Sequence, residues 1–457
     1  MKKYIALLLF GFLFSAFVSA QSVSGNFSAL KNQEIRLEGF NGMSTYRIAT
    51  VQTDDNGNFE LKYNPTDYGM GYLTTKTSKP YILILSKEPT RLKGEDLRVV
   101  QSIETLEGKE NQLFARYAEE HPKREQALSG WDYLEKIYKN DTFFSAQSKT
   151  LKEIQGEKNR IKKEDNDFLI SLPAGSYVKW FLPVRKLVSS VGVVAQYRPE
   201  EIPATLEAFR KIDYSDSRLY KSGLYKDVFE SQVWFVENSS GELDKVFADL
   251  NKNIAIILPQ ISKDKAKFNL TVSHLFDFLE SRSLFTSAEY LAIQALNDYR
   301  NKLEYSLEQK LEVYGRLKVG NPAPEIVFGE YSYYPEGEKA TRLSEVKANY
   351  TLVYFAAGWC PHCVEETPKL AEAFKDWKDK GVKIVLVSLD ETPADFAQFT
   401  AALPFISTTD FKKWDGKSVQ DYAVNGTPTL YILDKDKKIV LKPRNTEHAK
   451  AWLKNRL

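Results

Sequence analysis

Cys360 and Cys363 are the chain's only cysteines, and they stand three residues apart around Pro361-His362. A secreted chain stapled by disulfides spreads its cysteines along its length, and this one has none left for that purpose. Closing so short a loop gains only about 2 kcal/mol in the chain-entropy model, which makes a structural staple unattractive. A structural zinc site wants about four ligands, and His121, His274 and His448 are remote in sequence. Covalent haem attachment needs His directly after the second Cys, where Val364 stands instead.

The flanking pattern places the pair. Residues 350–357 form an apolar run of strand type, 361–380 read as a helix with Val364, Leu370 and Phe374 among its apolar positions, and 382–387 as a second buried strand. Strand, helix and strand in that order make a βαβ unit with a parallel pair. Pro361 suits the first helical position, where a missing N–H costs nothing. Cys360 then lies at the helix N-terminus, where dipole and free N–H groups favour a thiolate, and His362 adds to this when it donates. Cys363 falls about one turn on, buried and within reach of Cys360. Thiol–disulfide exchange needs this division: one thiolate attacks a disulfide, and a second thiol resolves the mixed disulfide.

Trp359-Cys360-Pro361-His362-Cys363 together with Gly426-Thr427-Pro428-Thr429 resembles the active site of thioredoxin-fold proteins. Asn321-Pro322-Ala323-Pro324, the insertion after Asp390, and Glu366 followed by Pro368 are similar to the TlpA/ResA branch of periplasmic thiol–disulfide oxidoreductases. The resemblance covers about 320–457. The first two-thirds resembles, more loosely, the β-rich domain and helical spacer that precede such units in Bacteroidota envelope proteins. The resemblance implies that Pro428 is a cis-proline facing the cysteines, with Thr427 backbone groups free to pair with a substrate strand. It implies that Glu366 is the acidic residue beneath the site, relaying a proton to or from Cys363, and that Pro368 kinks the helix. One position departs: thioredoxin's buried Asp, six residues before its first Cys, is here Tyr354.

The implied activity is disulfide exchange with envelope proteins, with protein thiol or disulfide clients, a redox partner protein, and no cofactor, metal or nucleic acid. Direction stays open. Pro361-His362 also occurs in the strong oxidant DsbA, whereas the TlpA/ResA branch mostly reduces its clients. A peroxidase reading fails because Ala357-Gly358-Trp359, not a Thr- and Pro-bearing pattern, precedes Cys360. The alternative is an envelope binding or assembly module, in which the N-terminal region docks a partner and redox chemistry is secondary.

The rest of the chain divides by texture. Lys2 and Lys3, an apolar run from Tyr4 to Val18 and the small residues Ser19 and Ala20 read as a signal peptide over 1–20, giving a periplasmic or secreted protein. The run is about 15 residues, short for a span of about 20, and no other stretch reaches 18 apolar residues, so the mature chain is expected to be soluble. Residues 21–105 alternate polar and apolar and are expected to form a β-rich, sandwich-like domain. Asn56-Gly57 between the alternating runs 46–51 and 59–61 marks a hairpin. A calcium loop from Asp54 fails, because Phe59 occupies the glycine position.

Residues 106–318 are expected to be helical. Leu151, Ile154, Ile161 and Phe168 share one helix face, and further helices are expected near 203–212, 242–257 and 287–316. Pro173, Pro183, Pro199, Pro203 and Pro259 mark breaks or first turns. Trp180-Phe181 and Trp234-Phe235 read as core packing rather than a groove lining. Residues 319–457 form the α/β thioredoxin-like domain. It closes with a hairpin of 430–433 and 438–441 and a helix over 446–455. Lys plus Arg number 63 against 61 Asp plus Glu, a balance with no pull toward a polyanion.

Overall fold

The computed structural model describes residues 21–335, 337–454 and 456–457; the expected signal peptide lies outside the described residues. Contacts group the chain into two units. One runs to Lys211 and includes Asp216–Gln232; the other comprises Ile212–Ser215 and Val233–Leu457.

The first unit opens with β1 (Gln21–Phe27), β2 (Glu34–Asn41), β3 (Ser44–Gln52), β4 (Asn58–Tyr63), β5 (Gly69–Thr74), β6 (Tyr81–Leu85), β7 (Thr90–Gly94) and β8 (Glu104–Glu107). Among the described residues these strands form two four-stranded sheets, ordered β4-β1-β7-β8 and β3-β2-β5-β6. Val23, Phe59 and Leu92 of one sheet and Ile35, Leu73 and Leu83 of the other share one core. The period-two pattern thus buries alternate residues between two facing sheets.

Asn56-Gly57 does turn the chain. Gly57 takes φ +81°, and Asp54 Oδ1 accepts the N–H groups of Asn56 and Asn58 at 2.8 Å. The expected hairpin does not form, however, because β3 pairs with β2 and β4 with β1. Turn chemistry reverses the chain but does not choose the ladder. The β1–β4 ladder sets Phe59 against Phe27, ring centroids 5.3 Å apart, inside the shared core.

Helices α1 (Lys109–Asn140), α2 (Ser148–Ser171), α3 (Tyr177–Tyr197), α4 (Ile202–Arg210), α5 (Ser217–Tyr220) and α6 (Tyr225–Ser239) follow. Ile154, Ile161 and Phe168 are buried on α2, as their spacing requires. Asp165, 3% exposed in its side chain, receives His121 Nδ1 at 2.9 Å and Lys186 Nζ at 2.7 Å. Phe181 and Phe235 are core residues.

The second unit contains α7 (Leu243–Ile261), α8 (Lys265–Ser281), α9 (Phe285–Asp298) and α10 (Tyr305–Arg316). The helical stretch expected over 287–316 is split after Asp298. Asn269 of α8 braces the break: its amide nitrogen donates to the Lys302 carbonyl and its oxygen accepts the Glu304 N–H, both at 2.8 Å. Pro183 and Pro259 do not break helices; they lie inside α3 and α7. Burial of their neighbours Phe181, Leu182, Ile257 and Leu258 outweighs the one lost helical hydrogen bond at each.

The C-terminal part of this unit comprises β9 (Ser332–Tyr333), β10 (Tyr350–Ala356), α11 (Pro361–Trp377), β11 (Val382–Ser388), α12 (Pro393–Thr400), β12 (Ile406–Thr408), α13 (Lys417–Asp421), β13 (Thr429–Asp434), β14 (Ile439–Leu441) and α14 (Thr446–Lys454). The sheet order is β14-β13-β10-β11-β12-β9. β10 and β11 are parallel, joined by α11, and the segment after Asp390 supplies α12 and β12. Leu352, Val353, Phe355, Ile384 and Val385 are fully or almost fully buried, which explains the continuous apolar runs of these strands. Among the described residues no helix is long and apolar enough to cross a membrane.

Candidate active site

β10 ends at Ala356 and α11 begins at Pro361, so the turn between them carries Ala357 to Cys360. Cys360 is the residue that caps α11. Its Sγ accepts the Cys363 N–H at 3.3 Å, one of the free donors of the first helical turn. Both cysteines are reduced. Cys360 retains 5% exposure and Cys363 none. Burial, with the Cys360 sulfur beside it, pushes the Cys363 thiol up from its ordinary range. The two sulfurs therefore differ as exchange chemistry requires: one touches the surface at a helix N-terminus, and the other is held neutral behind it.

Thr427 and Pro428 come to this turn through strand register. Phe355 of β10 stands opposite Thr429 of β13 in an antiparallel ladder. The residues just before β13 therefore lie beside those just after β10. The Thr427–Pro428 bond is cis. The Cys360 thiol donates to the Thr427 carbonyl at 3.3 Å. Pro361 and His362 are exposed at the first turn of α11. Trp359, 45% exposed, donates its indole N–H to the Leu389 carbonyl at 3.3 Å and lies beneath Lys413 Nζ, 5.0 Å from the ring centroid.

Glu366 is held by two neighbours. Burial raises its pKa, but Lys369 at 2.8 Å and the Thr446 N–H at 3.2 Å outweigh this and draw its carboxyl below the usual range. Its hydrogen bonds are to these two residues and not to Cys363. What touches the inner cysteine is Thr367, whose hydroxyl donates to the Cys363 carbonyl at 2.7 Å and lies 2.9 Å from the Tyr354 hydroxyl. Because the Thr367 proton is used on that carbonyl, Tyr354 donates to Thr367. Burial holds the Tyr354 phenol far above its usual range, so it stays neutral.

Sequence reasoning missed Thr367, although its position four residues after Cys363 on a helix is the signal for back-bonding to that carbonyl. It also missed the role of Asp390. This fully buried carboxylate accepts the Gly358 N–H at 3.0 Å and the Ser388 hydroxyl at 2.7 Å, and so holds the turn ahead of Cys360. Its place at the C-terminal end of a parallel strand, where α/β sheets carry their sites, was the available signal. Among the described residues no group of three or more His, Cys, Asp or Glu is placed to hold a metal ion.

Residues 348–439 match the family model described as thioredoxin-like. The chain is 29% identical over 127 residues to the thiol-disulfide oxidoreductase ResA of Bacillus cereus, covering 28% of this chain and 70% of that protein. It is 28% identical over 129 residues to nucleoredoxin of Danio rerio, covering 28% of this chain and 30% of that protein. Among solved structures, a thioredoxin-like protein from Bacteroides caccae aligns with 63% of this chain and 98% of its own, at 18% identity and a TM-score of 0.40. The thioredoxin domain of a thiol-disulfide oxidoreductase from Bacteroides vulgatus aligns with 31% of this chain and 98% of its own, at 26% identity and a TM-score of 0.26. By the family model and the match to ResA, the C-terminal part is thioredoxin-like and similar to a thiol–disulfide oxidoreductase. A thioredoxin-type redox function of its two close cysteines follows.

Proposed function

We propose that this chain is an envelope thiol–disulfide oxidoreductase that exchanges disulfides with client proteins through Cys360 and Cys363. The observation that carries this reading is the pair itself: a capping sulfur that accepts a first-turn N–H, backed by a buried thiol one turn on. The Cys360 thiolate attacks one sulfur of a client disulfide. An S–S bond forms between Cys360 and the client, and the client's other sulfur leaves as thiolate. Cys363, losing its proton, then attacks Cys360 Sγ. The Cys360–Cys363 disulfide closes, and the client departs as a dithiol that has gained two electrons. Oxidation of a client is the same sequence reversed, and a redox partner protein resets the pair.

Thr427 and Pro428 border the reacting sulfur, and the Thr427 carbonyl is the group a client backbone would meet there. Trp359, Pro361 and His362 form the exposed rim that a client touches first. Glu366 is a supporting residue at the C-terminal side of this rim. The apolar leader over 1–20 and its small-residue end support export, which mass spectrometry of the exported protein tests directly: it should begin at Gln21.

The exchange reading is tested with the full reduced chain and a disulfide-bonded protein such as insulin. Thiol release with matching closure of the Cys360–Cys363 disulfide is expected. Equilibration against glutathione then fixes the direction. An inert dithiol would leave the binding-module reading in its place.

A further inference from the structure

A cavity of about 740 Å³ opens beside His362 and the Thr427–Pro428 turn, within the second unit. One wall carries His362, Gly426, Thr427 and Pro428, and the other is built by the helical segment, including Glu280 and Arg282. Asn425, just before the cis-proline turn, donates to Glu280 Oε2 at 3.3 Å. The volume lies in the range, roughly 300–1,000 Å³, that takes a ligand of small-molecule size or a short peptide segment.

Two cations on this cavity share one carboxylate. Arg282 and Arg444, which both line it, meet the same carboxylate: each guanidinium lies 2.5 Å from a Glu237 oxygen. The Glu237 side chain is 7% exposed, and the arginines 30% and 33%. Two partly exposed cations therefore share one buried anion. The other charges nearby are matched. Lys310 pairs with Asp277, Lys442 with Glu289, and Lys369 with Glu366. Glu280 lines the same wall as Arg282, where it accepts from Asn425 and burial raises its carboxyl above the ordinary range.

We infer that this cavity seats the client segment next to the reacting cysteine, and that Arg282 and Arg444 read an acidic side chain on it. The inference rests on the exchange function proposed above and names its substrate class: polypeptide disulfides with Asp or Glu close to the cysteine. It also gives the helical segment a part in recognition, since Arg282 and Glu237 both lie outside the C-terminal domain. A guanidinium presents paired donors that suit a carboxylate, and a partly exposed charge at the rim acts mainly on encounter and selectivity.

The test uses the full reduced chain and three disulfide-bonded peptides of equal length, carrying Glu, Gln or Lys beside the cysteine. Each rate is divided by the rate of the same protein on 2-hydroxyethyl disulfide, which carries no charge for the arginines to read. The wild type should favour the Glu peptide over the Lys peptide by about five-fold at low salt, the scale of one partly exposed ion pair. High salt should shrink that preference. R444Q and R282Q each leave Glu237 with one arginine, and either should reduce the preference to below about two-fold. R444K, which keeps the charge, should retain most of it. Equal normalised rates on the three peptides, or an unchanged preference in both glutamine variants, overturns the inference while leaving the exchange function standing. Failure of the wild type to react even with 2-hydroxyethyl disulfide removes the exchange function, and this inference with it.

Discussion

The Cys363 N–H points at the Cys360 sulfur from 3.3 Å, so the residue behind the nucleophile also stabilises charge on it. Replacing the Cys363 side chain leaves that backbone donor in place. Cys360→Ser should therefore abolish exchange, whereas Cys363→Ser should still attack and then accumulate mixed disulfides for want of a resolving thiol. Non-reducing gels of the two variants after mixing with a disulfide client decide this. Normal turnover by Cys363→Ser would refute the assignment.

Burial raises the Cys363 thiol above the value of about 9 expected in an unfolded chain. Its neutral form therefore contributes stability that is fully present below about pH 9 and is lost as pH rises toward the folded value. The reduced protein should lose stability between pH 9 and 11 more steeply than Cys363→Ala. Chemical denaturation at several pH values measures it, and parallel curves would show that the thiol is not held neutral by burial.

Tyr354 donates to Thr367, which donates to the Cys363 carbonyl. Tyr354→Phe leaves one Thr367 lone pair unfilled inside the core and should cost about 1 kcal/mol of stability. Exchange at neutral pH should change by less than about two-fold, since a phenol with so high a pKa transfers no proton there. A ten-fold loss of exchange rate in Tyr354→Phe would instead make the hydroxyl a participant.

Asp390 accepts the Gly358 N–H and the Ser388 hydroxyl while fully buried. Asp390→Ala orphans both donors and should cost about 2–3 kcal/mol. Exchange should slow as well, because the turn that presents Cys360 loses its tether. Urea denaturation and exchange rates on the same preparation check both effects; loss of neither would make the contact incidental.

In the first unit, burial alone would raise Asp165, but hydrogen bonds from His121 and Lys186 draw it down to about 2, against an ordinary 3.8. A depressed carboxylate stabilises above its unfolded value and loses that contribution as pH falls through the folded one. Asp165 should thus contribute roughly 2 kcal/mol near neutrality, lost between about pH 4 and 2. Asp165→Asn should be less stable at pH 7 and should show a shallower acid loss over that window. Identical acid profiles would contradict the assignment.

Much of the architecture was legible because it depends on local chemistry. Period-two burial along β4 (Phe59, Leu61, Tyr63), the helical stripe of Ile154, Ile161 and Phe168, and the apolar runs of β10 and β11 each state which side faces a core. The two cysteines and Pro361 at a strand-to-helix junction pointed to thiol–disulfide chemistry, and Gly426-Thr427-Pro428-Thr429 made the signal specific. Asn56-Gly57 determined a reversal of the chain but not a hairpin.

What tertiary structure decided are relationships between distant segments, which no local pattern encodes. Strand pairing chose β1 for β4, and the register Phe355 opposite Thr429 brought Thr427 to Cys360 across 67 positions of sequence. Packing let Pro183 and Pro259 remain inside helices, and Asn269 braced a break where the sequence reads as continuous helix. Glu366 was drawn to Lys369 and Thr446, and Arg282 and Arg444 converged on Glu237, because an ion's partner is set by distance in space and by the cost of leaving charge unpaired when buried. The sequence determines which groups carry charge and which side of each element is apolar; the fold determines which of those groups meet.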